Sequence, residues 1–219
     1  MLAASVYRGL GSLEGALAMV ERAMKRVDLD DEARLARVHH QWAKLLLQSR
    51  EPEKARAHLE RAIVLYERAN DPYNEVRAKT LLPEVLEALG RPEAALACAM
   101  DALESASRHE FGRLKVFAHL ELGRVLLGRG RHDEALEELR RGLGAAIVLS
   151  DPNAQLHAHV RLWKAYALLG EAQAAAAELR HTAALAGGVD EVSDEIDELL
   201  RQAASDGGKP RPRVTRQVG

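Results

Sequence analysis

A short motif recurs about every 40 residues along this chain, and that recurrence constrains the fold more than any other feature. The motif is anchored by a glycine, or once by an arginine, with spacings of 39, 40, 40 and 40 residues. An alanine follows five residues later in every copy, and a small residue or a threonine follows seven residues after that alanine. The three positions are Gly11, Arg50, Gly90, Gly130 and Gly170; Ala16, Ala55, Ala95, Ala135 and Ala175; and Ala23, Ala62, Ala102, Gly142 and Thr182. A fixed period of this length predicts stacked structural repeats.

The residue types around the motif predict a helix–turn–helix unit. Glycine suits the left-handed residue that ends a helix, and Pro52 and Pro92 suit the first turn of the helix that follows. Asp71 and Asp151 each precede a proline, and Asp31 takes the same place one repeat earlier, so all three are predicted N-caps. First helices are therefore expected near 31–49, 72–89, 111–129 and 152–169, and second helices near 52–69, 92–108, 132–150 and 172–186. An aromatic content of only 4% agrees with an all-α fold.

The opening stretch "RGLGSLEGALAMV" contains Gly9, Gly11 and Gly15, which resemble a dinucleotide-binding glycine loop. Such a loop follows a β-strand inside a βαβ unit. Too few residues precede this stretch for that arrangement, and no later segment has the pattern of a strand. Gly11 and Ala16 are instead the first copies of the recurring turn, so no cofactor is predicted here.

The repeat resembles the tetratricopeptide repeat (TPR) family over roughly residues 1–187. Besides the glycine and alanine positions, pairs such as Trp42-Ala43 and Leu122-Gly123 occupy the family's characteristic first-helix positions. The family repeat is usually 34 residues; a period of 40 is similar to longer-helix variants in bacterial peptide-sensing regulators and transcriptional activators. The resemblance implies an all-α, right-handed superhelical solenoid of about five helix pairs. The expected repeats are residues 1–29, 30–70, 71–109, 110–150 and 151–188.

Three features depart from a regular array. Pro83 is expected to kink the first helix of the third repeat. Only about ten residues precede the Gly11 turn, which favours a chain that is part of something larger. An amphipathic segment at 189–204 is predicted to cap the last repeat, and the basic stretch 205–219 is predicted to be disordered.

No enzymatic or metal-binding pattern is found in the sequence. His39, His119 and His159 share one position of the repeat and are predicted to face a neighbouring helix rather than a metal. The single Cys98 is predicted to be a core residue, and one cysteine fits a reducing cytoplasm. A net charge of −2 gives no general attraction to nucleic acid, and no apolar run approaches the length of a membrane helix.

In TPR solenoids the first helices line a concave surface that usually binds a peptide or a helix. Steps of 40 residues along this chain predict a basic groove with an apolar patch formed by Phe117, Leu120, Leu127 and Val160. The predicted groove residues are Arg8, Arg37, His40, Lys44, Arg77, Thr80, Glu84, Phe117, Leu120, Arg124, His157, Val160 and Lys164. Such a surface suits an acidic segment with apolar anchors. The competing interpretation is that its cations only solubilise the face.

The sequence therefore predicts a non-catalytic protein- or peptide-binding scaffold of the bacterial cytoplasm, with no cofactor and no metal. One alternative is the sensing or oligomerisation arm of a larger bacterial transcriptional regulator. A second alternative is a homo-oligomer formed through the ends of the solenoid.

Overall fold

The computed structural model describes residues 13–25 and 31–186, and every regular element in these residues is an α-helix. Ten helices follow one another along this part of the chain. They are α1 (Leu13–Met24), α2 (Glu32–Gln48), α3 (Pro52–Arg68), α4 (Pro72–Lys79), α5 (Leu82–Ala88), α6 (Pro92–Arg108), α7 (Gly112–Gly128), α8 (His132–Val148), α9 (Pro152–Leu169) and α10 (Ala172–Ala186). The Gly11 turn, the segment 189–204 and the segment 205–219 lie outside the described residues. Among the described helices, none combines the length and the apolar character needed to cross a membrane.

The helices pack as successive antiparallel pairs, each stacked on the next. Four pairs are described in full: α2 with α3, the broken helix α4–α5 with α6, α7 with α8, and α9 with α10. Each second helix also packs on the first helix of the following pair, so the apolar core runs continuously between them. The structure is thus a helical solenoid, as the 40-residue recurrence predicts.

The turns inside the pairs carry the left-handed residue that the glycines predict. Gly90, Gly130 and Gly170 have φ values of +68°, +73° and +77°. Arg50 occupies the same position with a φ of +58°, a conformation that is costly for a residue with a Cβ. In each turn, the amide of the next residue bonds back to a carbonyl five residues earlier, as from Glu51 N to Leu46 O at 2.9 Å.

The predicted N-caps are confirmed in three repeats. The side chains of Asp31, Asp71 and Asp151 each accept a hydrogen bond from the backbone amide three residues ahead, at 2.9 to 3.1 Å. These bonds satisfy amides that have no partner within the helix, and the carboxylates lie at the positive end of the helix dipole.

Pro83 breaks the first helix of the third repeat, as expected. α4 ends at Lys79, α5 begins at Leu82, and the long bond from Val85 N to Leu81 O measures 3.5 Å. Thr80 lies at the break, where its hydroxyl donates to the carbonyl of Arg77 at 2.8 Å. Proline lacks the amide proton that would have continued the helix.

The histidines that share a repeat position do face the second helix of their own pair. His119 Nδ1 lies 2.7 Å from Glu138 Oε2, and His159 Nδ1 lies 2.6 Å from Glu178 Oε2. His39 Nδ1 lies 2.8 Å from His58 Nδ1, so one of these rings must donate and the other accept. Burial lowers the pKa of His39 to about 4, with smaller contributions from His58 and Arg61. As predicted, the side chains at this position lie against a neighbouring helix.

Cys98 lies on α6, the second helix of the third repeat, at the position that faces Lys79 of α4. Its thiol is half-buried, and burial raises its pKa. A raised pKa leaves less thiolate, the reactive form. The position therefore has the character of a packing residue, as predicted.

Small residues let the two helices of a pair approach closely. A Cβ placed on Gly123 would lie 2.7 Å from Leu139 Cγ and 3.0 Å from the carbonyl oxygen of Ala135. A Cβ on Gly144, by contrast, would meet nothing within 4 Å. Two helical glycines of one repeat thus differ in the space around them.

We expect Gly123→Ala to destabilise the protein and Gly144→Ala to stabilise it. Overpacking at Gly123 should cost roughly 1–3 kcal/mol and outweigh the helix propensity of alanine. At Gly144 only the propensity gain of about 0.5–1 kcal/mol remains. Urea unfolding of both variants checks this, and equal shifts for the two would contradict the packing described here.

Candidate functional site

The predicted groove residues lie along the first helices α2, α4, α5, α7 and α9, which together form what we call the first-helix face. Their exposure differs widely. The exposed residues are Arg37, Arg77 and Glu84. The partly buried residues are Lys44, Thr80, Phe117, Arg124, His157 and Lys164. The buried residues are His40, Leu120 and Val160. Arg8 lies outside the described residues.

The predicted apolar patch is wrong for two of its four residues, because Leu120 and Val160 are buried, whereas Phe117 and Leu127 are partly exposed. Leu120 packs in the core and would lie 2.8 Å from a Cβ placed on Gly142 of α8. Val160 packs with Leu156 and with residues of α10. A first helix is covered both by its own partner and by the next repeat, so its buried stripe is wider than the single stripe assumed from the sequence.

The positive charge predicted for the middle of the first-helix face is neutralised by carboxylates of the chain itself. Arg124 Nε lies 3.0 Å from both carboxylate oxygens of Glu121, and its guanidinium also bonds Glu87 on α5. Although burial opposes it, bonding to these two carboxylates raises the pKa of Arg124. Arg124 therefore joins two adjacent repeats rather than offering a charge to a partner.

Positive charge instead concentrates in one open cleft between α2 and α4. The cleft has a volume of about 470 Å³ and is closed on its inner side by a residue of α3. It is lined by Arg34, Arg37, His40, Gln41, Tyr66 and Arg77. The structure thus brings together three predicted residues, Arg37, His40 and Arg77, with three that sequence reasoning missed. We call it the α2–α4 cleft.

The three arginines of the cleft are engaged to different degrees. Arg34 Nε lies 3.0 Å from Asp31 Oδ2. Arg77 reaches only the amide oxygen of Asn74, at a long 3.5 Å. Within the described residues, Arg37 makes neither a hydrogen bond nor an ion pair. The cleft therefore holds two guanidinium groups that no carboxylate of the described chain neutralises.

Two polar side chains lie at the base of the cleft. His40 is 4% exposed and Tyr66 is 2% exposed, and their rings meet edge to face at 6.2 Å. In the described residues neither side chain forms a hydrogen bond, yet no fully buried side-chain nitrogen or oxygen lacks a partner. Their polar atoms must therefore be open to the cleft.

Both side chains are neutral at physiological pH. Burial, and then the charges of Arg77 and Lys44, lower the pKa of His40 to about 3. Burial raises the pKa of Tyr66 to about 12. The base of the cleft therefore presents an imidazole and a hydroxyl as uncharged hydrogen-bonding groups, beneath a positively charged rim.

We expect His40→Leu to reduce the loss of unfolding free energy that accompanies acidification. In the unfolded chain this histidine titrates near 6.5, so between pH 6.5 and 3 the unfolded state binds more protons than the folded state. Stability present above pH 6.5 is therefore lost as the pH falls, by roughly 2 kcal/mol between pH 7.5 and pH 5. Leucine occupies the equivalent position as Leu120, so the variant should fold.

Urea unfolding of wild type and variant at both pH values checks this. His39 and His58 contribute equally to both proteins, so the difference between them isolates His40. An identical loss of stability on acidification in the two proteins would show that His40 is not held neutral by the fold.

No protein-family model matches this chain, and no curated protein sequence matches it. Solved structures do match its fold. TTC0263, a thermophilic TPR protein of Thermus thermophilus, is 21% identical with a TM-score of 0.68, and the match covers 92% of this chain and 94% of that one.

Two further structures are similar over most of this chain. The Rap conjugation gene regulator of plasmid pLS20, in complex with the Phr* peptide, is 15% identical with a TM-score of 0.75, covering 94% of this chain and 62% of that chain. A putative kinesin light chain of Podosopora anserina with TPR-like repeats is 18% identical with a TM-score of 0.61, covering 83% and 90%. The chain has the fold of the tetratricopeptide-repeat solenoids.

Proposed function

We propose that this protein is a non-catalytic scaffold that binds a peptide or an extended protein segment along its first-helix face. The observation that carries the proposal is the α2–α4 cleft. There, exposed Arg37 and Arg77 surround His40 and Tyr66, whose polar atoms have no partner in the described chain. Polar atoms that converge on a cleft without partners of their own point to a ligand that supplies the missing bonds.

Similar folds are known in complex with peptides. The pLS20 Rap regulator was solved with the Phr* peptide, and another Rap protein with a TM-score of 0.73 was solved with the competence and sporulation factor. A preformed face on rigid stacked helices needs little ordering when it binds, so most of the entropic cost falls on the peptide. This supports a peptide as the partner.

The charges of the face suggest where the segment is anchored. Near α7 the cation Arg124 is already paired with Glu87 and Glu121. The cleft at α2 and α4 retains unneutralised Arg37 and Arg77. An acidic segment would therefore be held at the second and third repeats and would extend from there along the first helices, within the bacterial cytoplasm.

Site-specific photo-crosslinking tests the proposal. Peptides are enriched on the whole 219-residue chain from a display library of random sequences, then crosslinked to protein carrying p-benzoylphenylalanine in place of Glu84. Glu84 lies on α5, outside the cleft but on the first-helix face. The matched control carries the photoprobe in place of Met100, an exposed apolar residue of the second helix α6.

We expect enriched peptides to crosslink from position 84 and not from position 100. This result would locate the bound segment on the first-helix face. Crosslinking only from position 100, or a failure to enrich any peptide, would contradict the proposed function.

A further inference from the structure

We propose that an exposed apolar ridge on one edge of the solenoid docks against a second copy of this chain and forms a homodimer. The ridge is built by the connections between successive helix pairs and by the residues next to them. Its residues are Tyr73, Phe111, Ile147, Val148 and Leu149. None of them lines the α2–α4 cleft, so the inference goes beyond the proposed function and does not rest on it.

The first observation is a run of three exposed apolar residues at the end of α8. Ile147, Val148 and Leu149 are 55%, 85% and 44% exposed. Side chains with this exposure contribute little to the stability of a single copy, because water still surrounds most of their apolar surface. Consecutive exposed apolar residues of this kind mark a surface that a partner covers.

The second observation is that the fold does not require apolar residues at these positions. The second helices of the two preceding pairs end in the same way, with the same type of connection to the next helix. Their equivalent residues are mostly polar, and they are Glu67, Arg68 and Ala69 in the second repeat and Ser107, Arg108 and His109 in the third. The apolar run is therefore a departure of the fourth repeat that packing within one solenoid does not explain.

The third observation is that the aliphatic run continues into an aromatic surface. Leu149 lies directly against Gly112 of α7, since a Cβ placed on this glycine would be 2.9 Å from Leu149 Cδ2. Phe111 is the neighbouring residue, and its ring meets the ring of Tyr73 edge to face at 5.2 Å. Tyr73 is itself exposed. The ridge therefore extends over the third and fourth repeats, and its aromatic and aliphatic side chains are those enriched at the centre of protein interfaces.

The flanking charges do not favour a charged partner. Two arginines beside the ridge are already paired with carboxylates of the chain, and these pairs are Arg108 with Glu104 at 2.6 Å and Arg113 with Asp151 at 3.2 Å. The ridge therefore differs from the α2–α4 cleft, where guanidinium groups remain unneutralised. A neutral apolar surface has no particular attraction for an acidic segment or for an anionic membrane.

The remaining charges near Phe111 favour a second copy as the occupant. Glu110 and Lys115 are both exposed and are opposite in sign. In a two-fold symmetric contact the same patch meets itself. A patch that carries one residue of each sign can place each beside its opposite on the other copy, whereas a patch of one sign would repel its copy.

Sedimentation velocity of the full 219-residue chain tests the inference. The concentration is varied between about 1 and 100 μM. The ridge variant combines Ile147→Ser with Val148→Arg, which are the residue types that the third repeat has at these positions, so the variant should fold. The matched control combines Val64→Ser with Met100→Arg, the same kinds of change at exposed apolar positions of second helices outside the ridge. Circular dichroism and urea unfolding establish that both variants remain folded.

We expect wild type to dimerise reversibly in this range and the ridge variant to weaken the dimer at least about tenfold, because it places a cation in an apolar contact. The control variant should dimerise like wild type. Cysteine crosslinking in a Cys98→Ser background then locates the contact. Val148→Cys, at the most exposed position of the ridge, should form an intermolecular disulfide faster than Met100→Cys.

A wild-type chain that stays monomeric over this range would overturn the inference and leave the ridge to another occupant, either the segment 189–204 or a different protein. Equal weakening of a dimer by the ridge and control variants would also overturn it, as would equally fast crosslinking at the two cysteine positions. These failures are separable from failure of the proposed function, because a monomer still presents its first-helix face to peptides that crosslink from position 84.

Discussion

The close approach of the two helices in each pair is the constraint on which the rest of this structure depends. Small residues are buried at these contacts, and larger side chains there would force the helices apart. They are Ala55, Ala62, Ala95, Ala135 and Gly142. Because the described pairs use equivalent contacts, their first helices follow one another along one face. That regularity makes a departure in one repeat informative, since the neighbouring repeats show what packing alone requires.

The second repeat departs from this regularity in a coordinated way. It has His40 where the third, fourth and fifth repeats have Thr80, Leu120 and Val160, and Tyr66 where they have alanine. These two side chains lie together below an arginine rim. The fourth repeat, at the equivalent positions, has Leu120 and Ala146 in a continuous apolar core. The same backbone therefore supports a packed core in one repeat and an open polar cleft in another, so the solenoid supplies the frame and a few substitutions define the site.

The fold could be predicted from the sequence because its signals are local and repeated. Glycines at Gly90 and Gly130, the N-cap Asp151 and the break at Pro83 each act within a few residues of themselves, and the 40-residue recurrence multiplies their evidence. The site could be predicted only in part. Helical periodicity predicts that Arg37 and Arg77 share the first-helix face, and both line the α2–α4 cleft.

What periodicity could not show was the contact between different helices. It could not reveal that Glu87 on α5 reaches Arg124 on α7, nor that the neighbouring repeat covers Leu120. Tyr66 lies on the second helix α3, outside the first-helix stripe on which the prediction depends. A signal was nevertheless present, since a tyrosine stands where all the following repeats have alanine.

The central claim is that the partner segment is anchored at the α2–α4 cleft, and a double-mutant cycle tests it most directly. The cycle combines Arg37→Gln in the protein with replacement of a glutamate by glutamine in an enriched peptide. If the two groups meet, the losses in affinity should be non-additive, with a coupling energy of about 1 kcal/mol or more. Additive losses for every acidic residue of the peptide, including its C-terminal carboxylate, would contradict the account.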